Sequence, residues 1–388
     1  MSIRVVLAQG VIPHYRVPLF QALVDRPEFR VSVLASLKMP FGPESVKGLP
    51  VWADLRHRCV SLLGGRFIWQ RDMKLPAGVG PGDVLVLSGN PRFLSNLHLF
   101  LAARRKGLGI LWWSHDWSPT SAAWRARIRY SWMRHATAVL LYTDEEVRAL
   151  LAREGNWPTP VIGLNNTIDT RPSLRASADW THEKLEDFRR RHDLVGKRLL
   201  LFCGRLRSNP STELDVALRA FAQLYARDSS WRFAIIGTGD EGAMLRQLER
   251  QLDISAGMIW PGAIYDEAGL APWFLCASYL VYPGAIGLVL LHAYSYGLPV
   301  VTHAERALHN PEIAALVDGV NGMTFERGNA NDLAEKLQVA CDSPTLRQRM
   351  SEAALRTVTT TFSFDKMVQR FADAILLASK ISLESVIR

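Results

Sequence analysis

The chain has 388 residues, 48% of them hydrophobic and 21% charged, with a formal net charge of +9 at pH 7. That profile is globular and long enough for two domains or one large α/β unit, and it excludes disordered and collagen-like chains. No apolar run reaches the roughly 18 residues a membrane span needs, and the opening MSIRVVLAQG has neither the long apolar core nor the cleavage site of a signal peptide.

The charge is uneven. Residues 1–200 hold 29 Lys and Arg against 17 Asp and Glu, whereas 201–388 hold 17 against 20. A basic first half suggests an anionic partner: phosphorylated lipid, membrane surface or nucleic acid. Four cysteines without a close pair fit a reducing compartment, and Cys203 and Cys276 read as small core residues.

In chain order, IRVVLA (3–8) reads as a buried strand and RVPLFQALVDR (16–26) as an amphipathic helix. FRVSVLA (30–36), DVLVLS (83–88), GILWWS (109–114) and TAVLLY (137–142) are further strands; 96–106 and 121–135 are helices between them. Residues 165–179 are polar and turn-rich and read as a linker, followed by a charged helix. A second alternation follows: strand RLLLFCG (198–204), helix 211–227, strand WRFAIIG (231–237), helix 241–252, then strands ending in MIWPG, YLVYPG and PVVTH. Helix 287–297 closes at Gly297, and two more helices lie near the end. Continuous apolar strands alternating with helices predict α/β architecture: two doubly wound, Rossmann-like parallel sheets facing a cleft. The expected division is 1–168, a linker at 169–197, and 198–364.

Four loops place polar or glycine residues directly after a strand. QGVIPHYR offers Gly10 for close backbone approach and His14, Tyr15 and Arg16 for an acceptor; the alternative is that His14 and Tyr15 merely cap a helix. It lacks the spacing of a dinucleotide site. SHDW offers His115 and Asp116, an imidazole beside a carboxylate. CGRLRSNPSTE offers Arg205 and a helix start near Ser211, suited to a pyrophosphate; the alternative is a solvated arginine. PGAIGLVLLHA offers successive amides from Gly284 to Leu288, and His292 one turn later.

These motifs, with PHYRVPLFQAL, NNTID, IIGTGDE, WPGAIYDEAGLAPWF, DGVNGMTF and FSFDKMVQRFADAIL, resemble the GT-B glycosyltransferases of the family-4 type over nearly the whole chain. The resemblance implies a retaining, metal-independent hexosyltransferase using a UDP- or GDP-sugar, with no other cofactor; no D-x-D pair is present. It implies a last helix, 365–380, packing onto the first domain. It also implies that Arg205, Ser211, Gly237 and the segment Gly284, Ala285, Ile286, Gly287, Leu288 meet the donor. Gly262, Ala263 and Ile264 would lie by the base, His292 by the ribose, Gly10 by the phosphates, and His115 by the reacting sugar. His14, Tyr15, Arg16 and Asp116 would meet a glycan or polyprenyl-diphosphate-linked acceptor, with His115, Arg205 and His292 as the catalytic set.

Two departures stand out. Glutamates usual in the fourth loop are replaced by Gly284 and His292, and a lysine usual after the CGRL arginine is replaced by Pro210 and Ser211. They motivate a second reading, a GT-B protein that binds nucleotide or glycan without transfer. Arg104, Arg105 and Lys106, with Trp124, Arg125, Arg127, Arg129, Tyr130, Trp132 and Arg134, suggest a lipid headgroup layer at the cytoplasmic membrane face. The alternative is a solvated helix whose tryptophans face the core. No nucleic-acid motif accompanies the charge. A polyprenyl-diphosphate sugar acceptor at that membrane face would explain charge and aromatics together, and with the resemblance it implies assembly of a surface glycan such as capsule or O-antigen.

Overall fold

Apolar runs such as IRVVLA and RLLLFC become strands because both faces of each are covered by helices. The architecture comes from a computed structural model, which describes residues 2–40, 44–116, 123–208 and 212–387, without side chains at 123–125, 386 and 387. The chain divides into two compact units, Met1–Asp169 with Asp365–Arg388, and Thr170–Phe364.

In the first unit the strands are β1 (Ile3–Ala8), β2 (Phe29–Leu34), β3 (Ala53–Asp54), β4 (Cys59–Leu62), β5 (Phe67–Gln70), β6 (Val84–Ser88), β7 (Gly109–Ser114), β8 (Ala138–Leu141) and β9 (Val161–Gly163). Among the described residues, β4 and β5 pair as an antiparallel hairpin, and the rest form one parallel sheet in the order β3-β2-β1-β6-β7-β8-β9. Helices α1 (Val17–Val24), α2 (Leu94–Arg105), α3 (Ala123–Met133) and α4 (Asp144–Glu154) connect them. Thr143 and Glu146 form a capping box that fixes the start of α4.

The second unit opens with α5 (Arg171–Asp179) and α6 (His182–Arg191). The stretch expected as a linker is therefore partly helical and part of this unit. Pro172 suits a first helical turn, and the buried Ser173 hydroxyl lies 2.7 Å from that of Ser295. The strands are β10 (Arg198–Cys203), β11 (Trp231–Ile236), β12 (Met258–Gly262), β13 (Tyr279–Tyr282), β14 (Val300–His303) and β15 (Gly322–Phe325), in the parallel order β12-β11-β10-β13-β14-β15. Its helices are α7 (Leu214–Arg227), α8 (Gly242–Gln251), α9 (Glu267–Cys276), α10 (Val289–Ser295), α11 (Ala330–Cys341) and α12 (Pro344–Thr359). Leu201, Phe202, Phe221, Phe233 and Leu290 are wholly buried at its centre.

The last helix, α13 (Phe364–Ile387), lies against the first unit's sheet. Its Ser382 hydroxyl donates to the Gly107 carbonyl at 2.6 Å, and Arg370 pairs with Asp144 at 2.8 Å. Gly109 permits the approach: a Cβ there would stand 2.5 Å from the Ala378 carbonyl oxygen. Among the described residues no helix is long and apolar enough to cross a membrane.

Candidate active site

In an open parallel sheet, ligands bind beyond the carboxyl ends of the strands, where the strand order reverses. In the second unit that point lies between β10 and β13. The loop after β10 carries Arg205, exposed and without a hydrogen bond or ion pair among the described residues. Ser211 lies outside the described residues. The Leu206 amide donates to the Thr238 carbonyl at 3.0 Å, which draws this loop against the one after β11. Gly237 and Gly239 are required by that approach, since a Cβ on either would sit 1.8 Å from the carbonyl oxygen of Gly204 or Leu206. Packing thus accounts for a glycine at position 237.

The loop after β13 differs from the expected run of bare amides. Gly284 and Ile286 are buried, and the Ile286 amide donates to His309 Nδ1 at 3.1 Å. The amides of Ala285, Gly287 and Leu288 have no acceptor among the described residues, and all three residues are partly exposed. They stand immediately before α10. The expectation for Ile286 is therefore corrected: its N–H is consumed inside the fold, and three amides remain for an anion.

His292, on α10, does not turn both nitrogens outward. Its Nε2 lies 3.0 Å from Glu267 Oε2, which also accepts the Tyr296 hydroxyl at 2.6 Å. Phe274 closes over the ring at 4.9 Å. Burial alone would raise the Glu267 pKa, but the bonds from His292 and Tyr296 outweigh it and hold the carboxyl below its ordinary value. Glu267 Oε1 makes no hydrogen bond among the described residues. The sequence reading missed Glu267, although its place is legible: Asp266 caps α9, accepting the Gly269 amide at 2.8 Å, and Glu267 follows. Cys203, at the end of β10, has its thiol pushed up to about 12 by burial and by Glu267, as befits a core thiol. Gly262, at φ 86°, accepts the Gly237 amide at 2.9 Å. Ala263 is exposed and Ile264 packs against the core. Gly262 ends the edge strand β12 and Ala263 and Ile264 follow it, two strands away from the switch point. A cavity of about 390 Å³ opens at the opposite end of the strands, beside the starts of β13 and β14; Phe274 and Tyr296 line it, whereas Arg205, Glu267, His292 and the Ala285–Leu288 segment do not.

In the first unit the order reverses between β1 and β6. After β1, Gly10 lies close to Phe93, whose ring carbon would meet a Cβ at 2.8 Å. His14 and Tyr15 form an exposed turn, neither capping a helix nor hydrogen-bonded through the side chain among the described residues. Arg16 is buried. It donates to Asn166 Oδ1 at 2.6 Å and lies 4.6 Å over the Trp113 ring, so it is a structural cation rather than an acceptor contact. Trp113 stacks on Tyr142, and Tyr142 on His115 with ring centroids 3.9 Å apart.

The expected His115–Asp116 pair does not form. Asp116 is buried, bound by Arg153 at 2.8 and 3.1 Å and by the Tyr130 hydroxyl at 3.1 Å. Its carboxylate is committed to the fold. His115 Nδ1 is buried 3.8 Å from Glu146 Oε1, beyond hydrogen-bond reach, which leaves Nε2 as the nitrogen turned to solvent. Among the described residues no group of three or more His, Cys, Asp or Glu could hold a metal ion.

The aromatic and basic face expected on α3 is largely spent inside the unit. Arg129 is buried and donates to the Asp116 carbonyl, Trp132 meets Phe100 edge-on at 5.2 Å, and Arg134 pairs with Glu154 at 2.6 Å. The side chains of Trp124 and Arg125 lie outside the described residues. Arg104, Arg105, Lys106 and Arg127 are exposed.

Two doubly wound parallel sheets, each opening at a reversal of strand order, define a protein of the GT-B fold. Residues 197–343 match the family model described as "Glycosyl transferases group 1". Among curated proteins, the D-inositol 3-phosphate glycosyltransferase of Thermomonospora curvata is 28% identical over 257 residues, which is 61% of this chain and 56% of that relative. The alignment spans about half the length of the curated relative. A glycosyltransferase structure from Rickettsia africae ESF-5 superposes with a TM-score of 0.72 at 14% identity, covering 98% of this chain and 99% of that one. Anabaena Alr3699/HepE in complex with UDP gives 0.69 at 13%, covering 97% and 99%. At such identities the likeness is one of fold.

Proposed function

We propose that the protein is a retaining, metal-independent glycosyltransferase. It moves a hexosyl group from a UDP- or GDP-sugar to a glycan or polyprenyl-diphosphate-linked glycan in the assembly of a cell-surface polysaccharide. One observation carries the reading: amides at Ala285, Gly287 and Leu288, and the Arg205 guanidinium, without partners among the described residues, at the switch point of the second unit's sheet. Backbone N–H groups and a guanidinium suit a diphosphate and would stabilise the charge that develops on it. The match of residues 197–343 to the group 1 model and the UDP bound by HepE support the same choice.

In the reaction so proposed, the bond from the sugar's anomeric carbon to the β-phosphate oxygen breaks. The acceptor oxygen bonds to that carbon on the same face, and the leaving phosphate oxygen takes the acceptor's proton. The protein contributes position and charge stabilisation. Glu267 Oε1 and the remaining His292 nitrogen would receive and orient hydroxyls of the donor, and exposed His14 and Tyr15 are the acceptor candidates. Exposed Arg104, Arg105 and Lys106 suit an anionic membrane surface at the cytoplasmic face. Serine at all three positions then reduces sedimentation with anionic vesicles, and unchanged sedimentation contradicts that association.

The test is transfer from a panel of UDP- and GDP-sugars, with product configuration read by NMR. An α-linked product from an α-linked donor is expected. An inverted product, or nucleotide binding without turnover, contradicts the reading.

A further inference from the structure

The segment after β13 is held from one side by the loop after β14. The Ile286 amide donates to His309 Nδ1 at 3.1 Å, and the Ile286 carbonyl accepts from the Asn310 amide at 3.0 Å and from Asn310 Nδ2 at 3.2 Å. Asn310 also crowds Gly287, where a Cβ would stand 3.0 Å from Nδ2. One peptide of the anion-binding segment is thus gripped by its N–H and its C=O. Gripping Ile286 turns one amide inward while its neighbours at Ala285, Gly287 and Leu288 keep theirs free.

The chemistry of the grip fixes a protonation state. His309 Nε2 lies 2.9 Å from the His303 carbonyl, which can only accept, so Nε2 carries the proton. Nδ1 must then be the bare nitrogen, as the Ile286 N–H requires. The His303 ring stacks on His309 at 3.8 Å, with its own Nδ1 accepting the Glu305 amide at 3.2 Å. Both rings are buried. The charged groups facing the pair are Arg306 on its own loop, Arg327 beyond β15, and Glu213 at the start of α7, with Glu305 paired to Arg327. Burial first, then Arg327 for His303 and the His303 ring and Arg306 for His309, depress both imidazoles to about 4. A proton on His309 Nδ1 would set two donors face to face and break the grip.

We propose that neutral His309 is the positioning residue that holds Pro283–Leu288 in its amide-presenting conformation, through the Ile286 peptide. The ligand is the diphosphate of the reading above, on which this proposal rests for its functional consequence; the grip itself is a property of the chain. No contact between His309 and the ligand is implied.

The test uses the full chain with two variants. His309→Asn places Oδ1 where Nδ1 stood and cannot titrate, while His309→Leu removes the acceptor. Amide hydrogen exchange reads the grip without any ligand. The Ile286 amide should lose at least tenfold protection in the Leu variant and keep most of it in the Asn variant, with β13 and β14 amides unchanged in both. UDP and GDP titrations at pH 7.5 read the consequence: at least tenfold weaker binding for Leu, and within threefold of the parent for Asn. Equal Ile286 protection in all three proteins overturns the proposal, as does equal nucleotide affinity where the parent binds. A parent chain that binds neither nucleotide overturns the functional reading instead, and the exchange result still decides the role of His309.

Discussion

His292 Nε2 lies 3.0 Å from Glu267 Oε2, joining a residue on α10 to the first turn of α9. The pairing supplies a carboxylate beside a position where the sequence shows only an imidazole. The Tyr296 hydroxyl shares Oε2, leaving Oε1 as the open oxygen. Glu267→Gln removes the charge and inserts an amide group whose donors oppose those of His292 and Tyr296. Nucleotide-sugar affinity should fall about tenfold, or about 1.4 kcal/mol, in calorimetric titration, with little change in melting temperature. Unaltered affinity would remove Glu267 from the site.

Arg205 is an exposed cation in the loop after β10, and no described residue pairs with it. Arg205→Ala should weaken nucleotide binding at least tenfold. Because the contact is charge-assisted, the loss should shrink as salt is raised. A variant matching the parent at both low and high salt would place the guanidinium outside the diphosphate's reach.

Asp116 belongs to the fold. Its carboxylate is 2% exposed at the residue level and held by Arg153 and Tyr130. Arg153 is 41% exposed, so its charge is solvated when the carboxylate goes, and the cost is that of the lost charge-assisted hydrogen bonds, about 1.5–3 kcal/mol. Asp116→Ala should therefore lower the unfolding temperature of the first unit by roughly 3–12 °C. The folded variant should retain nucleotide affinity. Normal stability with lost affinity would reverse this assignment.

His303 and His309 make stability depend on pH. Both are depressed to about 4 in the fold, against about 6.5 in the unfolded chain. Between those values the unfolded chain binds protons that the folded chain refuses, so stability is present above pH 6.5 and is lost as pH falls toward 4. Each residue contributes up to a tenfold change in the unfolding equilibrium per pH unit. Carboxylates with lowered values act only further down; Asp54, at about 2, loses its contribution below its unfolded value near 3.8. Urea unfolding of the second unit at pH 7, 6 and 5 should show the decline, reduced in His309→Asn. A flat profile contradicts the neutral, buried pair.

Strand–helix alternation was legible because continuous apolar runs such as LLLF leave few other arrangements. The loops after β10 and β13 were legible for the same reason: the strands locate their own carboxyl ends. Residues 171–179 read as a turn because of their proline and serines, whereas the contact that anchors the helix, Ser173 with Ser295, joins positions far apart in the chain. Asp116 looked like the partner of His115 because they are adjacent. A strand end sends neighbours to opposite sides, and Asp116 turned inward to Arg153. Glu267 and His309 were invisible as site residues because their significance lies in partners 25 and 23 positions away. Local spacing carries no trace of such pairs.

The central claim is that three backbone amides receive a diphosphate. Amide resonances of the isotopically labelled chain, followed during titration with UDP and with GDP, test it directly. The account predicts that at least one nucleotide shifts Ala285, Gly287 and Leu288 together, and that Arg205→Ala weakens the response. Saturable binding that leaves those three amides unmoved would contradict it.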